Sequence, residues 1–357
     1  MGAEVFVMAR VDRLGEALKK ERFRVIPWRI SRGSLSPFRE LLAFVQVLRF
    51  YWRERPDLAH HVALKPVIYG GLAARVCRNI ASVNAITGLG HAFISQSHSM
   101  RLLRRVLLML LRTVFRNRNS ITILQNADDR NLLVQAAVVP QEAAVVIRGS
   151  GVNPKEFSPQ PEPNGVPVVV LATRMLWEKG VGELVDAASK LRERGVSARF
   201  VLVGNSDPAN PASIPEDQLR AWAGSGIVEW WGHRDDMPEV FAKSNLVCFP
   251  SYGEGVPKVL IEAAACGRAI VTTDMPGCRE VVRNGENGLL VPARDPKALA
   301  DAIAALLKDP SLRARMGARG REIAVQEFSE ERVLRETLAL YRMLLGPRWP
   351  FAATIGP

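Results

Sequence analysis

Two stretches in the second half of this 357-residue chain put cations, carboxylates and glycines where an apolar run gives way to an amphipathic one. In residues 172–180, Arg174 and Lys179 stand five positions apart, with Gly180 closing the turn. Cations so placed can close on a diphosphate from two sides, the arginine as a rigid fork and the lysine as a mobile point charge. In residues 250–263, Glu254 lies in a Gly-bearing loop and Glu262, with seven residues between them, lies on a helix that Pro257 is expected to open. The backbone N–H groups of Gly255, Val256 and Lys258 would face outward from that helix start and suit phosphate or other anionic oxygens. Glu262 is flanked by Val259, Leu260, Ile261, Ala263 and Ala264, where a carboxylate is costly without a partner. Paired ligand hydroxyls would serve, and so would a neighbouring backbone group or arginine. Two further turns, Gly204-Asn205-Ser206 and Gly232-His233-Arg234-Asp235-Asp236, could hold a base and a ribose, largely through main-chain groups.

Strand-like runs at 3–8, 59–64, 81–86, 121–125 and 145–148 alternate with amphipathic segments, pause in a Pro, Gly and Asn-rich passage at 149–167, and resume at 168–172, 199–203, 227–230, 246–250, 269–272 and 288–291. Repeated strand–helix units of this sort build parallel sheets covered by helices, and a Pro/Gly passage marks a domain boundary. The expected architecture is α/β, two doubly wound domains in tandem, with a last helix from about 329 to 345. Such sheets bind ligands outside the carboxyl ends of their strands, where the four motifs fall.

Composition narrows the class. With 48% hydrophobic and 24% charged residues, the chain has none of the bias of disordered, collagen-like or disulfide-stapled proteins. Residues 106–111, the longest apolar stretch near the middle, fall far short of the roughly 20 that a membrane-spanning helix needs, and no signal peptide opens the chain. The four cysteines, at 77, 248, 266 and 278, lack metal-ligand spacing and are expected to be reduced thiols. Charge is one-sided: residues 1–150 hold 23 Lys and Arg against 10 Asp and Glu, and the remainder is close to neutral. A basic half implies an anionic partner. The Arg/Leu segment at 101–112 and the stretch carrying Phe38, Phe44, Phe50, Tyr51 and Trp52 with Arg39, Arg49 and Arg53 fit an anionic membrane surface, while core helices with solvated arginines would look the same. Nucleic acid fits less well, since no reading motif accompanies the charge.

The joint order of these motifs resembles the family 4 retaining glycosyltransferases of the GT-B fold. It is carried by Arg174 with Lys179-Gly180, Val203-Gly204, Trp231-Gly232, Phe249-Pro250-Ser251, Glu254-Gly255-Val256-Pro257, Glu262-Ala263, Gly267, Thr273-Asp274 with Gly277 and Glu280, and Asn287-Gly288 through Pro292. The likeness is dense from 168 to about 328. It is looser earlier, where Pro56-Asp57, Lys65-Pro66 and Ile86-Thr87-Gly88 suggest the branch that builds capsule and lipopolysaccharide glycans.

The resemblance implies two Rossmann-like domains facing each other across a cleft: residues 1–155 for the acceptor, 156–328 for the nucleotide sugar, and 329–357 crossing back to the first domain. It implies transfer of a sugar, from a donor expected to be UDP-linked, to a lipid-linked glycan at the inner face of the cytoplasmic membrane, with no cofactor and no metal. Arg174 and Lys179 would grip the diphosphate, Glu254 would orient the sugar, residues 255–258 would hold sugar hydroxyls and phosphate oxygens, and Glu262 would accept the ribose hydroxyls. Gly204 and Arg234 would lie at the donor as well.

Two departures qualify it. Where many relatives carry His-Gly, this chain reads Thr87-Gly88, so the histidine's role is missing or passes to Thr87 or to His91. The family's opening strand, Gly-rich loop and helix have no counterpart before the strand at residue 3, which would leave a gap with two unpaired edges in the first sheet. Because the remaining motifs are intact, the expectation is that the true start lies upstream of residue 1; the alternative reading is a truncated, catalytically impaired nucleotide-sugar-binding protein. A nicotinamide enzyme is disfavoured because no Gly-x-Gly-x-x-Gly turn follows a first strand.

Overall fold

A computed structural model describes residues 3–10, 18–21, 23–30, 36–77, 80–88, 98–117, 119–208 and 210–350, without the side chains of 98–104. Every strand pairing among them is parallel, as expected of strands joined by helical crossovers. The first half contains β1 (Phe6–Ala9), β2 (Arg24–Pro27), α1 (Pro37–Glu54), β3 (Leu58–Val62), α2 (Leu64–Cys77), β4 (Ala81–Ile86), α3 (His98–Phe115), β5 (Ser120–Leu124), α4 (Ala127–Gln135) and β6 (Ala144–Val146). β1 and β2 form a sheet of their own, and β3-β4-β5-β6 form a second. No ladder joins the two among the described residues, so β1 and β3 each keep one open edge.

The second half runs β7 (Val168–Ala172), α5 (Val181–Glu193), β8 (Arg199–Val203), α6 (Glu216–Gly224), β9 (Glu229–Gly232), α7 (Met237–Ala242), β10 (Leu246–Phe249), α8 (Lys258–Ala265), β11 (Ala269–Thr273), α9 (Pro276–Val281), β12 (Gly288–Val291), α10 (Pro296–Lys308) and α11 (Pro310–Glu327). Its six strands take the order β12-β11-β10-β7-β8-β9. The centre of this sheet reads as unbroken apolar runs because both faces are covered. Val169, Leu171 and Leu202 meet α5 and α10 on one face, and Val168, Val170 and Val247 meet α8 and α11 on the other.

The last helix, α12 (Glu330–Leu345), returns to the first half. Its Val333, Leu340, Tyr341 and Leu344 cover Val83, Ile123 and Ile147 of the four-stranded sheet, and the Tyr341 hydroxyl meets His60 Nδ1 at 2.5 Å. Acidic Glu330 and Glu331 occupy its first turn, where they favour the helix dipole.

Several strands depart from expectation: β1 runs Phe6–Ala9 instead of 3–8, β3 ends at Val62 instead of 64, β6 runs Ala144–Val146 instead of 145–148, and two further differences concern β2 and β9. β2 was not expected: its two apolar residues lie between Arg24 and Pro27, and an edge position tolerates both. β9 runs Glu229–Gly232 instead of 227–230, and a register shift at Leu202/Val203 passes over Trp231 so that Val203 pairs with Gly232. The aromatic stretch expected on one surface divides. Tyr51 is buried and Phe44 and Phe50 pack inward, whereas Phe38, Leu41, Leu42, Val45 and Trp52 line the outer side of α1. In α3, Leu111, Val114 and Phe115 are buried, and Val106 and Met109 are exposed.

The other face of the four-stranded sheet buries His61. Its ring meets the Tyr51 hydroxyl through Nε2 at 2.6 Å and Asn84 Oδ1 through Nδ1 at 2.8 Å, and Gly70 of α2 lies against it so closely that no side chain would fit there. Burial lowers the imidazole pKa from the ordinary 6.5 to about 4. A histidine held neutral in the fold contributes stability that is present above its unfolded pKa and lost as pH falls below it. The denaturant midpoint should therefore fall between pH 6.5 and 5, and His61→Gln should flatten that fall; an unchanged pH dependence would disprove the assignment.

Candidate functional site

The ends of β7, β8 and β9 are laced together by main-chain bonds. Thr173 N–H donates to the Val203 carbonyl (2.9 Å), Met175 N–H to the Asn205 carbonyl (3.0 Å), and Gly204 N–H to the Gly232 carbonyl (2.7 Å). Gly204 takes a φ of +136°, and a side chain on it would strike the Thr173 carbonyl, so this close approach needs glycine. Its N–H is already engaged, which leaves its backbone edge as a shaped wall.

Gly180 performs the same service one loop away. It sits at φ +73° between the 3₁₀ turn Trp177–Lys179 and α5, with the Pro250 carbonyl where a Cβ would be. That contact seats the Lys179 loop on the loop that follows β10. The Lys179 ammonium is consequently in contact with the Glu254 carboxylate, and the two side chains are only 13% and 17% exposed. Ser251 Oγ donates to the same carboxylate at 2.9 Å. A mostly buried lysine–carboxylate pair of this kind is a cation held in readiness, since an incoming phosphate can replace the carboxylate as its partner.

Glu262 lies on α8 and is 9% exposed. Lys258, one turn earlier, approaches it at 3.6 Å. Burial raises the Glu262 pKa, and Lys258 opposes the rise. Pro257 is the N-cap of α8 and not its first residue: its ψ of 116° is extended, so the helix begins at Lys258. The arginines are differently employed. Arg174 pairs with Asp207 at 2.9 Å and is half exposed, and Arg234 chelates Asp236, its Nε 2.7 Å from Oδ1. No bond among the described residues ties either arginine to the Lys179–Glu254 pair.

Across the cleft, Thr87 and Gly88 follow β4 and lie directly on Gly255. A side chain on Gly255 would collide with the Thr87 carbonyl, and one on Gly88 would stand 3.3 Å from Gly255 N. The Thr87 side chain is exposed. His91 lies outside the described residues. The structure thus gathers Lys179, Glu254, Gly255 and Thr87-Gly88, sets Glu262 with Lys258 on the helix behind them, and leaves Arg174 and Arg234 with local acidic partners.

Sequence reasoning passed over Gln125 and Asn126, after β5. Gln125 Oε1 accepts the Val256 N–H (3.1 Å), and Asn126 Nδ2 donates to the Gly255 carbonyl (2.9 Å). Asn126 also caps α4 through Asp129 N–H (2.7 Å), a signature readable from the Asn-x-x-Asp spacing; the reach of 129 residues to Gly255 is not. The Val256 amide, one of those expected to face a donor, is therefore occupied from the opposite domain. Among the described residues no three His, Cys, Asp or Glu side chains converge as a metal site would require.

Residues 166–309 match the family model described as Glycosyl transferases group 1, and residues 1–123 that described as Glycosyl transferase 4-like. Over 354 residues the chain is 30% identical to the N,N'-diacetylbacillosaminyl-diphospho-undecaprenol alpha-1,3-N-acetylgalactosaminyltransferase of Campylobacter jejuni, spanning 95% of this chain and 90% of that protein. Among solved structures, sucrose-phosphate synthase from Thermosynechococcus elongatus superposes with a TM-score of 0.81 at 23% identity, covering 97% of this chain and 90% of that one. Anabaena HepE in complex with UDP and glucose superposes with a TM-score of 0.74 at 20% identity, covering 94% and 91%. At these identities the two structures share the fold.

The buried carboxylate of Glu262 has a measurable signature. A carboxyl whose folded pKa is raised weakens the fold as pH rises through that value, so the uncharged isostere relieves a cost at neutral pH. Glu262→Gln should melt at a higher temperature than the wild type at pH 7, and the difference should vanish toward pH 4. A variant that melts lower at pH 7 would mean that Lys258 already compensates the charge.

Proposed function

The chain belongs to the group 1, family 4-like glycosyltransferases of the GT-B fold, and from that premise we propose that it moves a sugar from a UDP-linked donor to a lipid-linked glycan acceptor in cell-surface polysaccharide or lipopolysaccharide synthesis. In this reading the sugar is a hexose or an N-acetylhexosamine, its anomeric configuration is retained, and no metal ion takes part. Residues 156–328 bind the donor, residues 1–155 bind the acceptor, and residues 329–357 tie the two. The observation that carries the reading is the Lys179–Glu254 pair, set beside a glycine that the opposite domain touches through Thr87-Gly88. The Campylobacter relative's undecaprenol diphosphate-linked acceptor and the UDP and glucose bound to HepE support the choice of substrates.

The chemistry asks for positioning and charge. When the donor enters, Lys179 exchanges Glu254 for a diphosphate oxygen and Arg174 leaves Asp207 to close the clamp. Glu254, released, accepts sugar hydroxyls, and the Glu262 carboxylate accepts those of the ribose. The acceptor hydroxyl then attacks the anomeric carbon on the face that the diphosphate leaves, the bond to the diphosphate oxygen breaks, and that oxygen takes the acceptor's proton. Cations fixed where negative charge develops are the main accelerating device of such a step.

The outer side of α1 supports a place on an anionic membrane. Phe38, Leu41, Leu42, Val45 and Trp52 recur at helical spacing, with Phe38 69% and Trp52 75% exposed, and Arg39, Arg49 and Arg53 are exposed on the same helix. Apolar side chains flanked by arginines suit a headgroup boundary, and no described helix is long and apolar enough to cross a membrane. In this reading the enzyme is cytoplasmic and peripheral, on the inner face.

A panel of nucleotide sugars with membrane extract as acceptor should show turnover with one UDP sugar. Lys179→Ala should lower kcat about 10²–10³-fold, the usual loss of one fixed group facing developing charge, and Glu262→Ala should abolish donor binding. Full activity in Lys179→Ala, or no turnover with any donor, would sink the reading. Separately, the protein should sediment with vesicles containing phosphatidylglycerol but not with phosphatidylcholine alone, and replacing Phe38 and Trp52 together by Ala should release it; equal binding to both vesicles would refute the membrane assignment.

A further inference from the structure

We infer that Gln125 and Asn126 are positioning residues that couple closure of the two domains to the alignment of the donor loop, an inference that rests on the transferase reading above. The Gly255–Val256 peptide group is held at both ends by consecutive side chains of the opposite domain: its carbonyl by Asn126 Nδ2 at 2.9 Å and its N–H by Gln125 Oε1 at 3.1 Å. Gly255 and Val256 are buried, so removing either side chain of the grip leaves one buried polar group of this peptide without that partner. From below, Gly277 of α9 lies against the Glu254 and Gly255 carbonyls so tightly that it admits no side chain. The peptide is therefore clamped between α9 and the end of β5.

Its neighbour on the chain is Glu254, the partner of Lys179. A shift of the Gly255 carbonyl when the domains part must move the Glu254 backbone, and with it the carboxylate that neutralises the lysine. The rest of the contact is formed by ion pairs and one main-chain bond. Arg279 reaches Asp128 at 3.5 Å at an exposed rim where ion pairs contribute little, while Ala127 N–H at 3.3 Å and the half-exposed Arg148 at 2.8 Å both meet the largely buried Glu280 carboxylate. The amide grip is the buried centre of that contact. Asn126 is itself wholly buried, and its Oδ1 is spent on the α4 cap, which fixes the direction in which Nδ2 points. Domain closure thus brings a preformed donor and acceptor pair onto one peptide group, and the sugar-facing loop takes its working position only when the acceptor domain is in place.

The test separates positioning from folding. Asn126→Ser keeps a capping oxygen but is too short to reach Gly255, and Gln125→Ala removes the acceptor for Val256. Each should lower kcat about tenfold or more, the effect of leaving one buried polar group unpaired in the closed state, with the donor KM within about twofold and the melting temperature little changed. Hydrogen exchange of the peptide containing Val256 should quicken in Gln125→Ala. Wild-type kcat in both variants, or kcat, KM and melting temperature falling together, would overturn the proposal, as would unchanged exchange at Val256. If the wild type turns over no donor, the transferase reading fails by itself and the exchange measurement alone decides the grip.

Discussion

Gly255 is a residue with no room for a side chain on any side. The Thr87 carbonyl and the Gln125 amide press on it from one domain, Gly277 abuts its carbonyl from the other, and Gly88 closes over its nitrogen. Steric exclusion at this one α-carbon is what lets the loops after β4 and β5 rest on the loop after β10 that carries Glu254. The glycines at 180 and 204 extend the same principle along the sheet, where each removes a Cβ so that one loop can rest on the carbonyl of another. The Lys179–Glu254 pair exists because those loops touch.

The packing behind the loops is conventional, and it is what makes their precision possible. Apolar strands β7, β8, β10 and β11 are covered on both faces, so their carboxyl ends emerge from a rigid layer. α12 does for the first half what no local element there does, covering Val83, Ile123 and Ile147 with residues that follow the whole second half in sequence. The first half is thereby fastened to the end of the chain as well as to the linker.

Much of this could be read from residue order alone. Strand-to-helix turns carrying Arg174, Lys179, Glu254 and Glu262 announce themselves by type and spacing, and the doubly wound pattern follows from apolar runs alternating with amphipathic ones. Pairings could not be read where nothing local determines them. Lys179 finds Glu254 across 75 residues and Gln125 finds Val256 across 131, distances over which periodicity carries no information. Arg234 with Asp236 is the contrary case, two positions apart and open to a local reading. β2 escaped because a strand of four residues with Pro at its end has the composition of a turn, and Pro257 was misplaced by one residue because cap and first helical turn differ only in ψ.

The buried ion pair also bears on what the site ignores. A lysine awaiting phosphate with no counter-charge would collect any small anion in solution, inorganic phosphate and free nucleoside phosphates among them. Lys179 is already neutralised by Glu254, within a pocket where both side chains are largely dry. An anion that offers only negative charge must evict the carboxylate and leave it stranded. A ligand that brings hydroxyl groups beside its phosphates satisfies both members of the divorced pair at once. Discrimination between a whole sugar nucleotide and its fragments is, on this view, a property of the resting protein, enforced by self-occupancy before any substrate arrives.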